Sequence, residues 1–460
     1  MKSLLITGDR SGSGKTSITL GISAFLSEEN TVQPFKVAMD YIDPSYLTGV
    51  TGRMCRNLDS FVMTPGQIRD SYQNACIGAD IAVIEGVRGL YEGSDAILDT
   101  GSTASVAKML EQNVILVINA QSITRSAAAI VKGFCAFDPD VRIKGVILNQ
   151  IISEKHREKA KTAIEHATEI PVIGAVPRSE EMRLTMRHLG LVPFLEGKND
   201  AEFLSRVEKV KEIIKRNIDM DALLSLSKQS SGPLKEHKPE VFRPAESMDL
   251  KIGVAVDEAF NFYYNDLFEI LPALGAEAVR FSPVNGSLPD ADGYIFGGGY
   301  PEMFAEKLSN NTKMREAVLE ASKNNVPVYA ECGGLIYLTK KLTLKSGWGG
   351  LESDVHYDMA GVFDGETRMP ARRVIGYVKG VSDSKCPLGR GEFLGHEFHH
   401  SDVVLSKDTH FSYRLSRGLG IRDCLDGALA NRTLASYTHL HPLASEGMIK
   451  NFVEECRKKN

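Results

Sequence analysis

A short apolar run, Ser3–Thr7, leads straight into Gly8-Asp9-Arg10-Ser11-Gly12-Ser13-Gly14-Lys15-Thr16, and a helical stretch follows. Strand, glycine-rich turn and helix start, in that order, form a cradle for phosphate. Glycines let backbone N–H groups turn inward around phosphate oxygens, and the helix N-terminus adds partial positive charge. Gly12 and Gly14 shape the cradle, Lys15 reaches the β- and γ-phosphates of ATP, and the Thr16 hydroxyl ligates Mg²⁺. The loop is one residue longer than usual, since five rather than four residues separate Gly8 from Gly14. A buried first strand is the reading of the apolar start, because a signal peptide needs a longer apolar region and a small-residue cleavage site.

The pattern beyond the loop fits this opening. Val32–Val37, Ile81–Ile84, Val114–Asn119, Gly145–Asn149 and Val172–Val176 are apolar on both faces, as parallel strands covered by helices are. Amphipathic stretches such as Ser17–Leu26 and Lys155–His166 lie between them, which predicts a doubly wound α/β domain. After Asp200 a charged helical segment runs to about Lys228, and QSSGPLKEHKPEVFRPAES then reads as a linker. A second alternating series follows: KIGVAV, AEAVRF, GYIFGGG, VPVYAECGG and LASYTHLH. The expected division is a first domain over 1–222, a linker over 223–248 and a second α/β domain over 249–460.

Composition excludes several classes. The net charge is −5 with no basic block, so charge suggests no nucleic-acid partner. No run of about 18 apolar residues exists to span a membrane. Seven dispersed cysteines without a CxxC pair read as reduced thiols in a cytoplasm.

Two constellations carry chemistry. A phosphate loop needs a carboxylate at the end of a neighbouring strand to organise the metal. Glu85, where Ile81–Ile84 meets Gly86, fits that place; Asp40 and Asp43 end the second strand in the same way, with helix capping or loop solvation as the alternative for each. In the second half, Val326–Ala330 reads as a strand, and Glu331-Cys332-Gly333-Gly334 turns sharply into a helical LIYLTKK. A cysteine on such an elbow faces a helix N-terminus, which predicts a depressed thiol pKa and a nucleophilic thiolate. His439 or His441 is the base, and backbone N–H groups of Gly298, Gly299 and Gly333 are donors for an oxyanion. His396, His399 and His400 resemble a metal site at first sight, but no matching Cys or carboxylate cluster stands elsewhere, so substrate contact or strand packing is the expected reading.

Together these residues resemble the cobyrinate a,c-diamide synthases and their relatives acting on nickel-sirohydrochlorin. The resemblance covers nearly the whole chain. It rests on the longer phosphate loop, Val32–Val37, Asp40-Tyr41-Ile42-Asp43-Pro44-Ser45, Arg56-Asn57-Leu58-Asp59, Ile84-Glu85-Gly86-Val87, Arg187-His188-Leu189-Gly190-Leu191, Phe296–Glu302 and Glu331-Cys332-Gly333-Gly334. It implies a dethiobiotin-synthetase-like N-terminal domain in which ATP phosphorylates a carboxylate and nitrogen displaces the phosphate. Lys15 and Thr16 would serve ATP·Mg²⁺, Glu85 and Asp40 the metal, and Asp43 the metal or substrate. It also implies a class I glutaminase in which Cys332 forms a glutamyl thioester and His439 is its base. Such enzymes usually carry Glu two residues after that His; here the position is His441, so the third triad member is absent or replaced. The resemblance leaves room for a homodimer.

Two departures bear on substrate. Corrin-directed relatives tend to read Gly-Pro-Asp-Tyr and Val-Met-Gly-Leu-Tyr-Asp-Gly, where this chain has Ala38-Met39-Asp40-Tyr41 and Val87-Arg88-Gly89-Leu90-Tyr91-Glu92-Gly93. Sirohydrochlorin carries one more carboxylate than cobyrinate, and Arg88 is suited to pair with it. The expected reaction is therefore a,c-diamidation of nickel-sirohydrochlorin on the route to coenzyme F430, with cobyrinate in cobalamin biosynthesis as the alternative. Arg88 as a surface arginine, a partition-type regulatory ATPase with an inert second domain, and a ligase using free ammonia are the competing readings.

Overall fold

The computed structural model describes residues 1–182, 201–229 and 238–458, with only the backbone of residues 201, 202, 228 and 229. The Arg187–Leu191 motif lies outside the described residues. The chain divides into two compact units, Met1–Pro239 and Glu240–Asn460.

Unit 1 is built on seven strands: β1 (Lys2–Gly8), β2 (Val32–Val37), β3 (Arg56–Leu58), β4 (Ile81–Gly89), β5 (Asn113–Asn119), β6 (Arg142–Ile151) and β7 (Val172–Pro177). They lie in the order β3-β2-β4-β1-β5-β6-β7, every neighbouring pair parallel. The apolar runs are sheet interior: Leu4, Ile6, Val83, Ile115, Val117 and Ile147 are buried together with Ile18 and Ile22 of the helix α1 (Lys15–Leu26). Gly21 of α1 lets the helix Ala201–Asn217 come close, because a Cβ there would stand 2.5 Å from Ile214 Cγ1. The next helix, Met220–Gln229, buries Leu223 in the same core, so the first residues of the expected linker are packed structure. The edge strand β3 was not expected. Its three residues are too few to show a period.

Unit 2 has a nine-stranded sheet. Its first five strands, Ala276–Phe281, Leu250–Ala255, Gly293–Phe296, Val328–Glu331 and Thr433–Ser436, are parallel in that spatial order. Leu425–Ala430, His410–Arg417, Val374–Ser382 and Gly391–His399 extend it antiparallel. The helix after Cys332 is shorter than expected, ending at Leu338, and Thr339–Leu344 is a strand of a separate four-stranded sheet. Alternation of polar and apolar residues in Lys341-Leu342-Thr343-Leu344 outweighs the helical reading there. Among the described residues no helix is long and apolar enough to cross a membrane.

Candidate functional site

The phosphate loop closes between β1 and α1. Gly12 and Gly14 have φ of 77° and 88°, the left-handed region that glycine enters at little cost. A Cβ on Gly14 would lie 2.1 Å from Asn149 Nδ2, whose amide instead donates to the Ser13 carbonyl at 2.8 Å. Thr16 Oγ1 donates to Glu85 Oε1 at 2.6 Å, tying the first turn of α1 to β4. Lys15 is buried at the base of the helix, and burial followed by the nearby Lys36 lowers its pKa.

Lys36, which sequence reasoning passed over as part of an apolar strand, organises the acidic side. Its Nζ donates to Asp43, to Glu85 Oε1 at 2.9 Å and to the Gly86 carbonyl at 3.3 Å, with the side chain only 2% exposed. Burial works against its charge, but Asp43, Glu85 and Asp40 more than offset this and raise its pKa. Asp40 is drawn up to about 6, first by burial and then by Asp43. Its Oδ1 accepts the N–H groups of Ile42 (2.8 Å) and Asp43 (3.2 Å), so the helix-capping alternative describes its present partners. Glu85 is also raised, burial again the main cause. Two ammonium groups thus face three carboxylates, which leaves a surplus of negative charge when all are ionised.

That surplus suits Mg²⁺. Glu85 Oε2 is buried with no hydrogen-bond partner among the described residues, as are Ser13 Oγ and Thr7 Oγ1. No three His, Cys, Asp or Glu among the described residues could hold a metal alone. Mg²⁺ needs no such cage: it takes one or two protein oxygens and completes its shell with phosphate and water. Thr16 and Glu85 are so arranged. Asp43 is engaged by Lys36, and Arg88 is exposed at the end of β4 with φ 49°. Its neighbour Gly89 pairs with Gly8, so Arg88 stands beside the phosphate loop.

In unit 2 three adjacent parallel strands deliver the second constellation to one sheet edge. Phe296, Ala330 and Ala435 are in register, and the chain beyond each forms the Gly297–Gly299 loop, the Cys332 elbow and the segment to His439. Cys332 has φ 43°, ψ −90°, outside the regions that L-residues favour, and its N–H donates to the Ser436 carbonyl at 2.7 Å. A Cβ on Gly333 would lie 2.9 Å from the Gly299 nitrogen, and one on Gly298 would lie 2.6 Å from His439 Cε1. Cys332, Gly333, Gly298, Gly299 and His439 are therefore mutual neighbours.

One expectation needs correcting, and one open alternative narrows. The thiol pKa is raised, not depressed: burial is the main cause, the carboxylates of Glu302 and Glu331 add to it, and the Gly333 N–H opposes them without prevailing. The resting group is a thiol, which donates to the Phe398 carbonyl at 3.6 Å. Of the two readings of the third triad member, absent or replaced, the geometry favours replacement. Glu331, immediately before the nucleophile, places Oε2 3.1 Å from His439 Nδ1, while its Oε1 accepts the Leu440 N–H at 3.0 Å and the Tyr329 hydroxyl. His441 faces Asp266 and Tyr264 instead, which leaves His439 as the base candidate.

The other histidines are structural neighbours of this site. His396 exchanges backbone hydrogen bonds with His439, His399 stacks on Tyr437 at 3.6 Å, and His400 stacks on Trp348. The signal for Glu331 and Glu302 was their place beside Cys332 and the glycine triplet, but spacing alone does not say where a carboxylate points.

Comparison with known proteins agrees with both halves. Residues 4–192 match the CobQ/CobB/MinD/ParA nucleotide binding domain, and residues 251–447 match the CobB/CobQ-like glutamine amidotransferase domain. A cobyrinate a,c-diamide synthase of Methanosarcina barkeri is 49% identical over 99% of this chain and 96% of its own length. That of Methanothermobacter thermautotrophicus is 42% identical over 98% and 99%, and that of Methanocaldococcus jannaschii 43% over 97% of each. With this identity sustained along both units, the chain belongs to the cobyrinate a,c-diamide synthase family, glutamine amidotransferases that are carbon–nitrogen ligases.

Proposed function

We propose that the enzyme uses ATP and glutamine to amidate the a- and c-acetate carboxylates of a tetrapyrrole, with nickel-sirohydrochlorin favoured. The carrying observation is the His439–Glu331 pair set among the neighbours of the Cys332 elbow, on a chain that also holds the Thr16–Glu85 pair. In unit 1, Lys15 and the backbone of the phosphate loop orient the nucleotide, and the acetate carboxylate takes the γ-phosphoryl group to give an acyl phosphate and ADP. Mg²⁺ held through Thr16 and Glu85, with Asp40 nearby, would neutralise phosphate charge. In unit 2, His439 takes the proton of Cys332 as the sulfur attacks the glutamine amide carbon. Gly298, Gly299 and Gly333 offer N–H groups to the oxyanion; ammonia leaves with the proton from His439, and water hydrolyses the glutamyl thioester to glutamate. Ammonia then displaces phosphate from the acyl phosphate to give the amide.

The tetrapyrrole has two supported readings. An exposed Arg88 beside the phosphate loop favours the more highly carboxylated nickel-sirohydrochlorin. The names of the relatives favour cobyrinate. For the reaction itself, Cys332→Ser should abolish glutamine-supported amidation and leave ammonia-supported amidation substantially intact. Full activity of that variant with glutamine would refute the assignment of the nucleophile.

A further inference from the structure

Glu302 lies in the short turn Pro301–Phe304 that follows the glycine triplet, and the mechanism above gives it no task. Its side chain is 2% exposed, and Oε1 has no hydrogen-bond partner among the described residues. The nearest basic group is His400, whose Nε2 is 3.7 Å away, beyond hydrogen-bonding distance. Burial, followed by the charge of Arg373, lowers the His400 pKa, so the imidazole is neutral and supplies no counter-charge. A buried carboxylate left so is costly unless a cation or a proton meets it.

The place of this carboxylate narrows what the cation is. Pro301 Cδ would be 3.3 Å from a Cβ on Gly333, so the turn lies against the elbow, and Glu302 is the strongest charged influence on the Cys332 thiol. A ligand here is the molecule that Cys332 attacks. Glutamine carries an ammonium group a short, flexible spacer away from its amide carbon. We propose that Glu302 receives the α-ammonium group of glutamine, and that this contact couples arrival of the amino acid to activation of Cys332. The inference rests on the glutaminase reading of Cys332. With the site empty, burial pushes the Glu302 carboxyl up to about 7, and its ionised form opposes formation of a thiolate beside it. The ammonium group removes that opposition, so the sulfur becomes nucleophilic when there is an amide to attack. Premature oxidation or alkylation of the thiol is disfavoured by the same arrangement.

The test uses the full-length enzyme and the rate at which Cys332 is alkylated. One probe is a chloromethyl ketone carrying the α-amino and α-carboxyl groups of glutamine; the second lacks only the amino group; the third is neutral iodoacetamide. The wild-type enzyme should react about 100-fold faster with the first probe than with the second, as expected for a buried charge pair. In Glu302→Gln that preference should collapse to within about threefold, through loss of rate with the amino-bearing probe alone. Iodoacetamide should label Glu302→Gln at least as fast as the wild type, while an unchanged cooperative thermal unfolding transition reports that the unit is folded. Absence of discrimination in the wild type, or its full retention in Glu302→Gln, would overturn the proposal. If neither ketone labels Cys332 and glutamine is not hydrolysed, the glutaminase reading fails and takes this inference with it.

Discussion

The imidazole of His439 is held through Nδ1 by Glu331, the residue that precedes the nucleophile, and a kinetic consequence follows. A carboxylate in this position fixes the tautomer and stabilises the imidazolium that forms when the thiol is deprotonated. Glu331→Gln should therefore lower kcat for glutamine hydrolysis by about 10²–10⁴ with little change in KM, while Glu331→Asp recovers part of the loss. Ammonia-supported amidation should be spared; an unchanged glutaminase kcat would show that Glu331 only packs. His399 supports a prediction about pH. Burial, helped by His439 and His400, lowers its pKa from 6.5 to about 4. A group protonated more readily in the unfolded chain makes stability fall with acidification, so the stability present above pH 6.5 is lost towards pH 4. The displacement is worth on the order of 3 kcal/mol. Denaturation measured between pH 4 and 7 should show a shallower loss in His399→Gln than in the wild type; parallel curves would contradict this.

At the scale of elements, β2 places a lysine inside a sheet. Lys36 is the counter-charge of Asp43 and Glu85, and both carboxylates are taken largely out of water by the strands and helix that carry them. Lys36→Met should destabilise unit 1 by about 3–5 kcal/mol, because it leaves buried charge uncompensated. ATP binding by calorimetry should weaken at the same time. A variant with wild-type stability would mean that the carboxylates neutralise themselves by taking up protons. Much of this framework was legible in the sequence: six of the seven strands of unit 1 coincide with runs read as strands and largely buried in the sheet, and the phosphate loop stands between its strand and helix as read. The partners of charged groups were not. Lys36 was hidden by its apolar neighbours, and the third member beside His439 was sought downstream of that residue, whereas the fold supplies it from the neighbouring strand through the Glu331–Ser436 register. The thiol was misjudged because the helix behind Cys332 has only six residues, and its N–H groups cannot outweigh burial beside two carboxylates. The antiparallel half of the second sheet went unread, since strands such as His410–Arg417 bury residues irregularly and keep no clean period.

For the whole molecule the question is how a chain of net charge −5 takes up the polyanionic macrocycle proposed as its substrate. The field of the chain as a whole repels such a substrate, so local cations must turn it toward the phosphate loop. Lys15 and Lys36 are buried and committed to the nucleotide site, whereas Arg88 is exposed beside Gly89, the residue paired with Gly8 of the loop. No ion pair holds Arg88 among the described residues, and its left-handed backbone presents the side chain from the end of β4. Nickel-sirohydrochlorin has the extra carboxylate to meet it. The enzyme should therefore show a higher kcat/KM for nickel-sirohydrochlorin than for cobyrinate, and Arg88→Met should narrow the preference. An exposed pair contributes about 0–1 kcal/mol, so the narrowing should be up to about fivefold. Added salt should weaken the preference in the wild type and leave the variant nearly unaffected, since screening acts on exposed charges. Competition between the two macrocycles, with product mass as the readout at low and high ionic strength, decides the matter. A preference for cobyrinate, or a preference that Arg88→Met leaves untouched, would assign substrate choice to other residues and leave the glutamine-dependent ligase standing.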